Sequence, residues 1–125
     1  MSKKLYQRLA SLISARLNCM KSGNAVWEAN HTDDIHKLIR DRMPSGSGID
    51  NGTKIDLDSC SDKKIVLVCD YHHMNDGGYY DGWTTHDVII TPCFDGIDIK
   101  ITGSNRNDIK EYLGDTYHYA LTCEE

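Results

Sequence analysis

A chain of 125 residues, 39% hydrophobic and 26% charged, fits one globular domain and excludes a disordered or low-complexity polymer. Its formal charge of −5 argues against a protein that grips nucleic acid through a broad basic face. No apolar run reaches the eighteen or so residues of a membrane span. The stretch after Lys4 is amphipathic and interrupted by Gln7, Arg8 and Arg16, so it offers no signal-peptide core, and a cytoplasmic location is expected.

The first predicted element runs from Lys3 to Lys21, where Leu5, Leu9, Leu12, Ile13, Leu17 and Met20 fall three and four apart along one helical stripe. Ser22-Gly23 stops it. A second helix is expected over 24–43, with Trp27, His31, Ile35, Leu38 and Ile39 as its stripe and Pro44 beyond its last turn. The short break between them folds the pair into an antiparallel hairpin. Residues 44–53 hold three glycines and read as a tight polar loop. The period then changes from 3.6 to two. Ile55 and Leu57 alternate with Lys54, Asp56 and Asp58, which predicts a short strand with one wet face.

Lys64–Tyr71 is apolar on both faces and predicts a central strand. A third strand is expected over Trp83–Thr91, a hairpin turn over Pro92–Gly96, and a fourth strand over Gly96–Thr102 with Ile97, Ile99 and Ile101 inward. Ser104 or Asn105 is placed to cap a final helix whose stripe is Ile109, Tyr112, Leu113, Thr116 and Ala120. Hairpin-sized connections argue against parallel pairing, because a crossover needs a dozen or more residues. The expected architecture is therefore α+β: a helical hairpin (1–43), then a four-stranded antiparallel meander with a C-terminal helix packed on it (44–125), all one domain over 1–125. One core is expected to gather Leu67, Cys69, Val88, Ile90, Ile97, Ile99, Ile101, Ile109 and Leu113.

The five cysteines, Cys19, Cys60, Cys69, Cys93 and Cys123, are odd in number and widely spaced, without a C-x-x-C pair. They read as free thiols, and no cofactor is called for. Functional groups concentrate instead in 72–86, a stretch with three histidines, three aromatic residues and three glycines between two strands. Tyr79, Tyr80 and Trp83 offer flat surfaces for a base or similar ring. Ser45 and Ser47 in the glycine loop, with Asn105 and Arg106 before the last helix, add hydroxyl, amide and cationic groups suited to an anion. The same stretch also admits a metal site of His73, Asp81 and His86, since imidazole and carboxylate are proper ligands, although the spacing matches no established metal motif. Each residue has a plainer reading as well: a hydrogen-bonded hairpin end, aromatics on a sheet edge, and Arg106 paired with Asp108. Asp56 and Asp58, about 6.8 Å apart by strand rise, read as the wet side of an edge strand before they read as an acid/base pair. No nucleophile elbow or phosphate-binding P-loop occurs.

Three segments carry a resemblance. They are Pro44-Ser-Gly-Ser-Gly-Ile-Asp-Asn-Gly-Thr-Lys-Ile-Asp-Leu57, the His72–His86 stretch with Gly-Tyr-Tyr-Asp-Gly-Trp-Thr, and Gly103-Ser-Asn-Arg-Asn-Asp-Ile-Lys-Glu-Tyr-Leu113. Over roughly residues 44–113 the chain resembles a group of short, uncharacterised proteins of bacteriophages, prophages and other mobile elements. The group carries no assigned activity, so the resemblance implies context: small accessory proteins that bind a host component, including defence proteins or their nucleotide messengers. The expectation is a non-enzymatic binding protein of counter-defence type, with a nucleotide-like molecule or a host protein as partner. The alternatives are a small metal-dependent enzyme centred on 72–86 and protein inhibition through an acidic surface.

Overall fold

Helix α1 (Leu5–Ser22) buries Leu5, Leu9 and Ile13, the inner line of its apolar stripe. It ends at Gly23, whose φ of 74° is left-handed. The Gly23 N–H donates to the Met20 carbonyl and the Asn24 N–H to that of Cys19, a pair of bonds that satisfies the last turn and reverses the chain. Asn24 then accepts from the Trp27 N–H and starts α2 (Ala25–Arg42). Ile35, Leu38 and Ile39 are buried on α2. Arg16 Nε donates to Thr32 Oγ1 at 3.0 Å, tying the two helices together.

The computed structural model describes residues 3–46, 48–74 and 80–124, without the side chains of residues 50, 51, 73, 74, 80 and 81. Four strands follow the helical hairpin: β1 (Ile49–Ile55), β2 (Ile65–Met74), β3 (Tyr80–Cys93) and β4 (Gly96–Ile101). They form an antiparallel sheet in the order β1-β2-β3-β4. Helix α3 (Asn107–Thr122) packs on that sheet, so the α+β architecture is as the sequence predicts. The start of α1 also meets the end of α3: the Leu5 N–H donates to the Cys123 carbonyl at 3.0 Å.

Strand alternation decides which face is covered. Ile65, Leu67 and Cys69 on β2 lie opposite Ile90, Val88 and His86 on β3, and all six are buried. Ile97 and Ile101 continue this face on β4, and α3 closes it with Ile109, Leu113, Tyr117 and Leu121. The opposite face presents Lys54, Thr85, Asp87, Thr91, Asp98 and Lys100 to solvent. No described helix is long and apolar enough to cross a membrane.

Several boundaries differ from the sequence reading. The first strand begins at Ile49, inside the expected loop, and Leu57 belongs to a 3₁₀ turn (Leu57–Ser59). A register shift between Asp50 and Lys54 explains the miss, since a bulge breaks the period of two. Asp56 and Asp58 therefore do not share a strand face. Asp56 instead accepts from Ser59 Oγ at 2.8 Å. The stripe of α3 steps by four through Ile109, Leu113, Tyr117 and Leu121, leaving Tyr112 at 37% exposure on its flank. Ile99 is only half-buried, because β4 is an edge strand. Met20 and Trp27 are also exposed, as they lie where the helical hairpin turns rather than on its packed length.

Candidate functional site

The far end of the β2–β3 ladder is where the predicted segments meet. His72 pairs with Trp83, and their rings lie 5.9 Å apart at a 40° tilt. Both sit on the face that carries Asp70 and Thr85, two residues back on each strand, which are joined by a 2.7 Å hydrogen bond. Trp83 is 58% exposed. Beside it, Gly82 adopts a φ of 97° and the register slips between His72 and Met74, so a bulge turns this end of the strand.

The glycine loop comes to the same end from the other side. The His72 N–H donates to the Gly48 carbonyl at 2.8 Å. Gly48 has a φ of 95°, and a Cβ there would stand 2.8 Å from the Tyr71 ring. Tyr71 packs in turn on Tyr112 of α3, with ring centroids 5.8 Å apart. Within the loop, Gly46 and Ile49 exchange both backbone bonds, at 2.9 and 3.0 Å, and Ser45 is exposed. Ser47 lies outside the described residues.

The third segment approaches over β3. Gly103, with φ 87°, passes so close to the Thr85 carbonyl oxygen that only a hydrogen fits between them. Thr85 is two residues from Trp83, about 6.8 Å by strand rise. Ser104 Oγ does not cap α3. It accepts instead from the Arg106 N–H at 3.0 Å and shapes the approach to the helix. Arg106 is the N-cap residue, and its guanidinium forks onto Asp108 at 3.2 and 2.7 Å. That bidentate pair holds the Asp108 carboxyl below its ordinary range. The plainer reading of Arg106 thus applies to its resting contacts, while the side chain stays exposed. Arg106→Ala should leave the melting temperature within about 2 °C of the parent, because an exposed pair contributes little to folding. A larger drop in a thermal melt would show a structural role for it.

His86 occupies a different place from the one the metal reading needs. It is fully buried, on the covered face between Val88 and the strand end. Nδ1 lies 2.6 Å from the Thr102 carbonyl, an oxygen that only accepts, so Nδ1 carries a proton. Nε2 lies 2.6 Å from Thr84 Oγ1. Both nitrogens are engaged: Nδ1 joins β3 to the chain after β4, and Nε2 bonds within β3. The signal was present in the sequence, since His86 shares strand parity with Val88 and Ile90. The side chains of His73, Tyr80 and Asp81 lie outside the described residues, as does Tyr79. Among the described residues no group of three or more His, Cys, Asp or Glu is placed to hold a metal ion.

Trp83 lines none of three surface grooves of about 510, 420 and 500 Å³. The groove of about 500 Å³ takes in Asn105, which is exposed, together with Lys100, Thr102, Ser104 and Lys110. Neither lysine is among the site residues expected from the sequence, because they belong to different elements and nothing in their spacing links them. No family model, no curated protein and no solved structure matches this chain.

Proposed function

We propose that the chain is a non-enzymatic binding protein whose ligand, a flat anionic molecule of nucleotide type, stacks on Trp83. One observation carries this reading: a tryptophan 58% exposed on the uncovered sheet face, steadied by the His72 ring at 5.9 Å. Leaving so large an apolar ring in water is unfavourable, and a stacked base removes it while adding about 1–3 kcal/mol of binding. Gly48 against His72 and Gly103 against Thr85 bring the backbone of both neighbouring segments to the two strands at this end, and in this reading their Ser45, Asn105 and Arg106 would supply hydroxyl, amide and guanidinium partners for a phosphate. The motifs' resemblance to phage and mobile-element proteins supplies the setting, in which the chain sequesters a host messenger nucleotide or occupies a host defence protein. The metal-dependent enzyme alternative draws no support from His86, because a metal would have to displace Thr84 from Nε2.

Titration calorimetry with mononucleotides and cyclic dinucleotides tests the assignment. Binding should be lost in Trp83→Ala and retained in Trp27→Ala, the other exposed tryptophan. Absence of heat up to millimolar nucleotide, or equal binding by both variants, would remove it. Turnover of a bound nucleotide, abolished by a chelator, would move the assignment to the metal-dependent enzyme.

A further inference from the structure

We infer that the free edge of β4 is a self-association surface, on which a second copy of this chain adds its own β4 antiparallel about Ile99. The Thr102 N–H donates to the Asp87 carbonyl at 3.1 Å, and from that pair the β3–β4 register runs unbroken to Cys93 opposite Gly96. Bonded and non-bonded pairs alternate along an antiparallel ladder. The backbone groups of Asp98 and Lys100 therefore point into β3, and those of Ile97, Ile99 and Ile101 point out along the edge. Pro92 lies opposite Ile97, at a position that needs no N–H for β4, as this parity requires.

A twofold axis through Ile99 sets Ile99 opposite Ile99 of the second copy and Ile97 opposite its Ile101. All of these positions have outward N–H and C=O groups, so the pairing forms a bonded ladder along the whole edge. The side chains agree with it. Asp98 and Lys100 lie on the open face, and the same axis places each Asp98 beside Lys100 of the other copy. Strand edges are kept from pairing by shortness, by charge, by a proline or by a bulge. This edge has no proline and no register shift, and its one acid and one base are self-complementary about Ile99: apolar, acidic, apolar, basic, apolar. Ile99, the half-buried member of the three isoleucines, gains the most cover.

A separate feature points to the same partner. Phe94, in the β3–β4 turn, is 106% exposed. In the register about Ile99, Asp95 and Phe94 of the second copy fall opposite residues 103 and 104. Those residues line the groove of about 500 Å³, which Lys100 and Lys110 flank. The groove thus receives an exposed phenyl ring with an adjacent carboxylate, twice over in an isologous dimer. The strand pairing does not involve Trp83, although the groove shares Asn105 with the ligand reading.

Sedimentation velocity over a concentration series decides the matter. The unaltered chain should sediment as a dimer at the upper concentrations. Lys100→Asp and Asp98→Lys should each raise the dissociation constant about tenfold, since each puts like charges opposite one another twice. The double reversal, Asp98→Lys with Lys100→Asp, should restore it to within about threefold. Phe94→Ser tests the groove separately and should weaken association about tenfold. All four variants alter exposed positions only, so circular-dichroism melts should match the parent. A monomer at every concentration, single reversals without effect, or a double reversal no better than the singles would each overturn the proposal.

Discussion

Gly103→Ala is expected to destabilise the fold by about 3–5 kcal/mol, a large share of the 5–15 kcal/mol that holds a domain of this size together. Two costs add. A φ of 87° is strained for any residue with a Cβ. The Cβ would also run into the Thr85 carbonyl oxygen and stand 3.1 Å from His86 Nδ1. Neither neighbour can move away. The carbonyl belongs to β3 beside its β2 pairing, and His86 is fully buried and bonded through both nitrogens. Gly48→Ala is the informative contrast. Its φ of 95° is as strained, but its Cβ meets the half-buried Tyr71 ring, a side chain that can turn. That change should cost about 1–2 kcal/mol. Gly46→Ala, with open space around its Cβ, should cost less again. Urea denaturation of the three variants gives the order directly. Gly103→Ala within 1 kcal/mol of the parent would mean that residues 103–106 do not lie against β3 as described.

What the sequence shows and what it hides follow from the same physics. Local periodicity carries the two first helices, β2, β4 and the turn before Gly96, because each is decided by neighbours within a few residues. Local reading fails where a longer-range term takes over. In β1 the chain passes through Asp50 and Gly52 without regular alternation, since the register shifts there and Gly52 turns left-handed at a φ of 75° before pairing with β2 resumes at Lys54. In α3 the spacing draws Tyr112 and Thr116, which flank the core, into the predicted stripe and leaves out Tyr117, at its centre. Candidate site residues divide the same way. The concentration of aromatics and glycines near Trp83 is visible as composition. That Gly48 abuts His72 and Gly103 abuts Thr85 is not, because both contacts depend on strand register and on close backbone approach. His86 illustrates the converse. Its chemistry suits a metal, but its parity with Val88 commits it to the core.

Tyr117 links that core to the chain's alkaline stability. Its hydroxyl lies 2.6 Å from Thr53 Oγ1, which donates to the Pro44 carbonyl at 2.7 Å. A carbonyl only accepts, so the Thr53 proton is committed and Tyr117 must be the donor to Thr53. The order fixes an asymmetry between two deletions. Tyr117→Phe removes a donor and leaves Thr53 bonded to Pro44, at a cost of about 1 kcal/mol. Thr53→Val leaves a fully buried phenol and a carbonyl without that hydroxyl, at a cost of about 2–4 kcal/mol. The double variant should cost less than the two single costs added together, as expected for residues in one network. Burial pushes the Tyr117 phenol well above its ordinary 10.0, more than the Thr53 bond lowers it. Burial likewise raises the thiols of Cys69 and Cys60 above 9.0. In each case the unfolded chain releases its proton first. Stability is therefore present in full below about pH 9 and falls as pH rises past the unfolded values of the thiols and then of the phenol. Each group adds about 1.4 kcal/mol per pH unit to that slope while it stays protonated only in the folded state. Tyr117→Phe should lose one such increment above pH 10, and urea titrations between pH 8 and 11 measure it. An unchanged alkaline slope in Tyr117→Phe, or Thr53→Val no worse than Tyr117→Phe, would show that the phenol is not held as the donor in this chain of bonds.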